Sequence, residues 1–334
     1  MGPSTDQSFM ALALLEAAPF VGRTAPNPPV GAVVVGAHGH MLAGAAHQRA
    51  GMPHAEALAL QRAREQHGAD ALRGATVYVT LEPCNHQGRT PPCAEALIAA
   101  GIKRVVMGCA DPNPNVAGGG AARLKAAGIT TDWITGTAHE SALSLIAPFA
   151  RWSTTGLPYV VHKIALQEIE NGSLTMIPAL GEKTFTSPDS LRLAHLERRQ
   201  SDGILTGMGT VLADQPHFTV RHLPEHPEKI RPLAVIGDAT RLTIPQKNIW
   251  NAWVERQNHS GFQVSLHSTV EAALSALGQT SCLRVLAEAG PQLSEIIRVR
   301  GLWQERLVVI KPRQQSSDII LRSYRETDVH RHHY

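Results

Sequence analysis

The sequence predicts an α/β protein of two domains, each built on a mostly parallel sheet. Three observations carry this reading. The chain has 334 residues, more than a single core usually holds. Short β-branched runs alternate with segments of helical spacing, the pattern of strands joined by crossover helices. The alternation breaks once, at "RWSTTGLP", and then begins again. The predicted domains are residues 1–150 and 158–334, with 151–157 as a linker.

In the first domain "SFMALALLEAA" has helical spacing, and "VGAVVVGAHGHMLAGAAH" reads as a hairpin around a Gly/His turn. "HAEALALQRAREQHG" is a helix with Glu and Arg on its solvent face, and "ATVYVTLEP" is a buried strand. "CAEALIAAGI" is a helix stopped by Gly101, "KRVVMGCADPNP" a strand ended by prolines, "AARLKAAGI" a further helix and "TTDWITGT" a last strand. A hairpin followed by β-α alternation implies a mostly parallel sheet covered on both faces. In the second domain "YVVHKIAL" is a strand, and "SPDSLRLAHLERRQSDG" is a helix opened by Ser187 with Pro188 at its first position. "ILTGMGTVLADQP" reads as a strand running into a Gly-rich turn. "RPLAVIGD" and "ERLVVIKP" are strands, and "CLRVLAEAGPQLSEIIRVRGL" is strand, turn and helix. The polar tail "ETDVHRHHY" is expected to fray.

Composition excludes several classes of function. Hydrophobic residues make up 43% and charged residues 18%, as in ordinary soluble domains. A net charge of +3 and 4% aromatic content give no case for a nucleic-acid groove or an anionic membrane surface. No basic segment precedes a long apolar run, and no run approaches the roughly 18 apolar residues of a membrane span. A cytoplasmic protein with a small-molecule substrate is expected, assembled as a homodimer or higher homo-oligomer.

The cysteines are Cys84, Cys93, Cys109 and Cys282. A reducing compartment disfavours disulfides, and Cys84 and Cys93 are too far apart for a C-x-x-C redox motif. Metal binding leads, with two unrelated structural cysteines as the alternative. Upstream, "PHAEALAL" places His54 and Glu56 two apart at a helix start. His-x-Glu followed by Pro-Cys and a second cysteine is the pattern of zinc deaminases, whose Glu is an acid/base and not a ligand. One imidazole and two thiolates would supply three ligands to Zn²⁺ and leave the fourth tetrahedral position for water. The bland reading is that His54 caps a helix and Glu56 is a solvated first-turn acid. The combination with Pro-Cys-x8-Cys after a buried strand argues against it. Cys109 ends an apolar strand and reads as core, not as a fourth ligand.

The displaced second cysteine points to a family. "TAPNPPVGAVVV", "HQRAGMPHAE", "YVTLEPCNHQGRTPPCAEALIAAGIKRVV" and "DPNPNVAGGG" together resemble the deaminase half of the bifunctional riboflavin-biosynthesis deaminase-reductases (RibD type). The resemblance implies a cytidine-deaminase-like three-layer α/β/α sandwich. It also implies a substrate, 2,5-diamino-6-ribosylamino-4(3H)-pyrimidinone 5′-phosphate, contacted by Asn27, His47, His86, Arg89 and Asp111. Arg89 and the Thr90 hydroxyl, in the long loop between the cysteines, suit a ribose phosphate.

Residues 158–312 resemble the family's reductase half, a dihydrofolate-reductase-like α/β domain using NADPH. Matching pieces include "HKIAL", "RPLAVIGD", "EAGP" and "TSPDSLRLAHLERRQSDGILTGMGTVLADQPHFTVR". The resemblance places Gly207, Gly209, Thr210 and Asp214 near cofactor, and Arg198, Arg221 and Glu288 near substrate. Departures put cofactor binding in doubt. Asn171-Gly172 stands where the family has Asp-Gly, Phe185 and Thr186 replace Trp-Ile-Thr, and Asp214-Gln215 replaces paired aspartates. Leu191 replaces an arginine, and "RQQSSDII" replaces a Gly-rich loop. Three readings stand: a zinc deaminase with a degenerate reductase-like domain, possible in a toxoflavin-like branch; a full bifunctional enzyme; and a non-catalytic scaffold. The intact His54, Glu56, Cys84 and Cys93 set argues against the third.

Overall fold

The computed structural model describes residues 3–85, 92–113, 117–176, 186–226, 229–315 and 317–325. It forms two compact units, Met1–Thr155 and Gly156–Tyr334. In the first, strands β1 (Gly31–Val35), β2 (Met41–Ala46), β3 (Thr76–Val79), β4 (Arg104–Met107) and β5 (Thr130–Trp133) make one sheet in the order β2-β1-β3-β4-β5. β1 runs antiparallel to β2 and β3, and β3, β4 and β5 are parallel.

Side-chain alternation sorts the strands onto two cores. Ala32, Val34, Val77, Val79, Val105 and Met107 meet α2 (Ala55–His67), α3 (Cys93–Ala99) and α4 (Gly119–Ala126) through Ala59, Ala63, Leu97 and Leu124. The alternate residues Val33, Val35, Tyr78 and Val106 pack on Met10 and Ala13 of α1 (Pro3–Ala17) and Ala138 of α5 (Gly136–Thr155). At Gly31 a Cβ would lie 1.9 Å from the Ala13 carbonyl oxygen, so only glycine lets α1 sit this close. A polar staple adds to the contact. Tyr78 donates its hydroxyl to Asp6 at 2.7 Å, and Arg104 donates to both Asp6 oxygens and to Asp132.

The second unit has one sheet in the order β10-β9-β8-β11-β6-β12-β13. Its strands are β6 (Tyr159–Glu168), β7 (Leu174–Thr175), β8 (Gly203–Gly207), β9 (Arg231–Ile236), β10 (Phe262–His267), β11 (Arg284–Glu288), β12 (Glu305–Lys311) and β13 (Ile319–Tyr324). All neighbours from β10 to β12 are parallel, while β13 returns antiparallel on β12 and β7 pairs antiparallel with the end of β6. The helices are α6 (Pro188–Gln200), α7 (Met208–Asp214), α8 (Ile244–His259), α9 (Val270–Gln279) and α10 (Pro291–Val299). Ser187 caps α6 by accepting from the Ser190 N–H, as its sequence predicts. Val160, Leu205, Ala234, Val285 and Ala287 of the sheet are covered by α9 and α10 through Leu274, Leu277, Leu293 and Ile297. An ion network of the buried Glu197, Arg284 and Glu305 with the exposed Arg322 ties α6, β11, β12 and β13 together.

Two local expectations are corrected. Arg151–Thr155, expected as linker, continue α5. The hydroxyls of Ser153, Thr154 and Thr155 donate back to carbonyls three or four residues earlier, and Gly156 at φ 71° follows. The Gly-rich turn after β8 is the start of α7. The end of "RQQSSDII", which replaces the family's Gly-rich loop, begins strand β13.

His162 lies at the middle of this sheet, in register with Ala287 and Arg306. It is fully buried, and neither ring nitrogen has a hydrogen-bond partner among the described residues. Burial first, then the nearby Arg306 charge, pushes its pKa down to about 4. The folded chain therefore binds this proton less readily than the unfolded chain. Stability is fully present above the unfolded value near 6.5 and falls as pH drops toward 4, by about 1.4 kcal/mol per unit. Urea titrations between pH 7 and 5 should show this limb, and His162→Leu should flatten it. An unchanged slope in the variant would remove His162 as its source.

Candidate metal centre and active site

Helix α2 begins at His54, which occupies the N-cap position with extended backbone angles. Its side chain makes no capping bond to the helix. The ring turns instead toward the segment after β3 and the start of α3. His54 Nδ1 lies 3.3 Å from Cys93 Sγ and 3.7 Å from Cys84 Sγ. The Cys93 backbone N–H donates to Cys84 Sγ at 3.3 Å, fastening the second cysteine to the first. The three ligand atoms all lie within 4.8 Å of one another.

This set fits a tetrahedral zinc. Nitrogen and sulfur at ordinary zinc bond lengths of roughly 2.0 and 2.3 Å, at a tetrahedral angle, are about 3.5 Å apart. The two measured separations bracket that value. The charges also suit a cation. A hydrogen bond from the Cys93 thiol, with further help from His54, holds the Cys84 thiol well below its usual range. The hydrogen bond to Cys84 raises His54, and the same coupling pushes Cys93 up. Binding a dication would displace these protons, as it does wherever thiols and imidazoles are ligands. Glu56 sits two residues along α2 and is 4% exposed. Burial raises its carboxyl pKa, and it contacts the same group of side chains through Cys93. The solvated first-turn acid is thereby ruled out.

The sequence-predicted neighbours are partly brought together. His47 Nδ1 lies 3.1 Å from the Pro53 carbonyl, and a carbonyl can only accept, so Nδ1 carries the proton. Nε2 then accepts from the Asn27 amide at 3.1 Å. Burial lowers the pKa of this His47 ring, in keeping with a neutral imidazole. Its ring stands edge-on to that of His54 with centroids 5.4 Å apart, so Asn27 and His47 border the candidate metal ligands. Asp111 is anchored near Cys84 by its N–H, 3.5 Å from Glu82 Oε2, and accepts from the Asn113 N–H at 2.9 Å. His86, Arg89 and Thr90 lie outside the described residues. Cys109 is core, 1% exposed, with its thiol on the Thr80 carbonyl. Glu82 was missed. Its signal was a carboxylate between Leu81 and Pro83, where burial demands partners.

In the second unit Arg198 and Glu288 do not stand apart to meet a ligand. They form a bidentate pair at 2.6 and 2.9 Å. Burial would raise Glu288, but Arg198 holds it down to about 2. Lys163 is the in-register neighbour of Glu288, and burial lowers its pKa. Sequence reasoning passed over Lys163, although a cation inside "VVHKIAL" was the available signal. Gly207 ends β8, and Thr210 Oγ1 accepts from the Gly290 N–H at 3.1 Å, joining the carboxyl ends of β8 and β11. That edge is where open parallel sheets bind ligands. Gly209 is exposed in α7, with open space where a Cβ would stand. Asp214 and Arg221 are exposed. The Arg221 backbone N–H donates to His195 at 3.2 Å.

If His54, Cys84 and Cys93 form one ligand set, the purified chain should bind one zinc, and Cys84→Ser or Cys93→Ser should weaken it at least tenfold. Competition with a chromogenic chelator measures this, and retention of wild-type affinity in both variants would dissolve the set.

Known proteins show the same division. The chain matches the cytidine and deoxycytidylate deaminase zinc-binding region over residues 3–109 and the RibD C-terminal domain over residues 177–314. It is 36% identical to the riboflavin biosynthesis protein RibD of Aquifex aeolicus, covering 92% of this chain and 87% of that one. It is 38% identical to RibD of Escherichia coli, covering 94% and 89%. A solved structure of Acinetobacter baumannii RibD superposes with a TM-score of 0.78 at 32% identity, over 97% of this chain and 99% of that one. A Thermotoga maritima diaminohydroxyphosphoribosylaminopyrimidine deaminase/5-amino-6-(5-phosphoribosylamino)uracil reductase also gives 0.78, at 29% identity, over 95% and 90%. The chain therefore belongs to the RibD family of riboflavin biosynthesis enzymes, with a zinc-binding deaminase half and a reductase half.

Proposed function

We propose that the first unit hydrolytically deaminates 2,5-diamino-6-ribosylamino-4(3H)-pyrimidinone 5′-phosphate, replacing the ring amine by oxygen and releasing ammonia. The observation that carries this is the convergence of His54, Cys84 and Cys93 beside the buried Glu56. The Thermotoga maritima relative is named as a deaminase of this ribotide class. His54, Cys84 and Cys93 would hold zinc, which when bound would supply a Lewis acid able to bring the pKa of water down to about 7. Glu56 would take one proton from the attacking water and pass it to the ring nitrogen, then take the second proton from the added hydroxyl and pass it to the amine, which leaves as ammonia as the carbonyl forms. A carboxyl raised by burial is a stronger base than one in water, which suits it to both transfers. Asn27, held by a neutral His47, and Asp111 contact the pyrimidine and ribose. His86, Arg89 and Thr90 take the phosphate.

For the second unit, the reading we propose is a reductase-like domain that has lost turnover. It rests on the departures at Asn171, Phe185, Leu191 and Gln215. A second reading, an active NADPH-dependent reductase, is favoured by the Lys163, Arg198 and Glu288 cluster beside the joined ends of β8 and β11.

Two experiments test these assignments. Glu56→Gln should keep one zinc per chain while ammonia release falls by about 10²–10⁴; normal turnover in that variant would withdraw the acid/base role. NADPH titration should show no binding in the micromolar range. Tight binding, with NADPH oxidation on the deaminated product, would replace the inactive reading with the active one.

A further inference from the structure

Glu82 is a buried carboxylate whose partners among the described residues are all backbone N–H groups. One oxygen accepts from the Gly118 N–H at 3.0 Å and from the Asp111 N–H at 3.5 Å, and the other accepts from the Ala121 N–H at 3.0 Å. Its own N–H donates to the Cys109 carbonyl at 2.9 Å. The side chain is 4% exposed. Four backbone groups from the segment after β4 and the first turn of α4 thus converge on the residue two before Cys84.

Contacts beside it are equally close. At Gly120 a Cβ would lie 1.8 Å from the Pro83 carbonyl oxygen, so the first turn of α4 rests directly on the chain leading into Cys84. At Gly119 a Cβ would meet Asn85 at 3.7 Å. The negative carboxylate also faces the positive end of α4, where a carboxylate is favoured. Cys84, in turn, is fastened to Cys93 and His54. Asp111 lies on the other side of the Glu82 carboxylate and carries its own turn through Asn113.

We propose that Glu82 is a positioning residue for the deaminase reaction: it holds the Asp111 loop at a set distance from the segment that carries the metal ligand Cys84. This rests on the deaminase reading and on Asp111 as a substrate contact. Glu82 touches neither substrate nor metal. Its influence passes through the backbone N–H of Asp111 on one side and through Pro83 on the other. The isosteric Glu82→Gln keeps the volume and one acceptor, but turns an amide NH₂ onto at least one N–H that now finds a carboxylate oxygen. Either amide orientation sets the NH₂ against an N–H, that of Ala121 or those of Gly118 and Asp111, so the segment from Asp111 to the start of α4 must shift, while the Cys84 side, held by the Cys93 and Ala94 N–H groups and by His54, stays.

The test uses the full zinc-loaded chain. Glu82→Gln should keep one zinc per chain and the wild-type thermal midpoint within a few degrees. Its KM for the diaminopyrimidine ribotide should rise about tenfold, the scale of one buried donor left unsatisfied, with kcat within about threefold. Product affinity measured by calorimetry should fall by the same factor. Adding Glu82→Gln to Asp111→Asn should raise KM little further, because coupled residues are not additive. An unchanged KM, full additivity with Asp111→Asn, or loss of zinc or of folding in Glu82→Gln would each overturn the proposal, the last assigning Glu82 to general stability. A wild-type chain that fails to deaminate the ribotide at all would instead overturn the deaminase reading itself.

Discussion

One constraint organises the first unit: an imidazole and two thiols, up to 39 residues apart in sequence, must come within 4.8 Å of one another. Two helix starts and one strand end meet to satisfy it. His54 stands at the N-cap of α2, Cys93 opens α3, and Cys84 follows β3. The sheet makes this possible because β3 is central, with β1 on one side and β4 on the other. Close backbone approaches then remove the remaining slack. Gly31 under α1 and Gly120 on Pro83 are places where a single methyl group would push an element away.

Polar burial serves a different end in each unit. In the first, some of these groups are reactive: the buried Glu56 is raised by desolvation, and the half-buried Cys84 is lowered by its neighbours. In the second, most buried charges compensate each other, as in the Arg198–Glu288 pair and the Glu197, Arg284, Glu305 and Arg322 network. Breaking such a pair by removing one partner is costly because it strands the other charge. His162 differs: it is a buried base with no hydrogen-bond partner among the described residues, and folding keeps it neutral.

Much of the fold was legible because its signals are local. The hairpin around Gly39, the Ser187–Pro188 helix start and the β-branched strands depend on neighbours a few residues away, and all formed as read. The linker misreading has the same origin. "RWSTT" looks like loop by propensity, but its hydroxyls found carbonyls within the preceding turn and extended α5. In the candidate site, His54, Glu56, Cys84 and Cys93 were legible because few side chains can hold zinc or move a proton at neutral pH.

Sequence alone determined which chemistry this chain carries, since residue type and spacing limit the ligands and the acid/base group. Only tertiary structure decided how those groups are held. Arg198 and Glu288 are 90 residues apart, and their pairing is a property of α6 lying beside β11. Glu82 reads as one more acid in "TLEPC", and its partners are backbone N–H groups 29 to 39 residues further on. Backbone donors leave no residue-type signature, so what they position becomes visible only when the chain is folded.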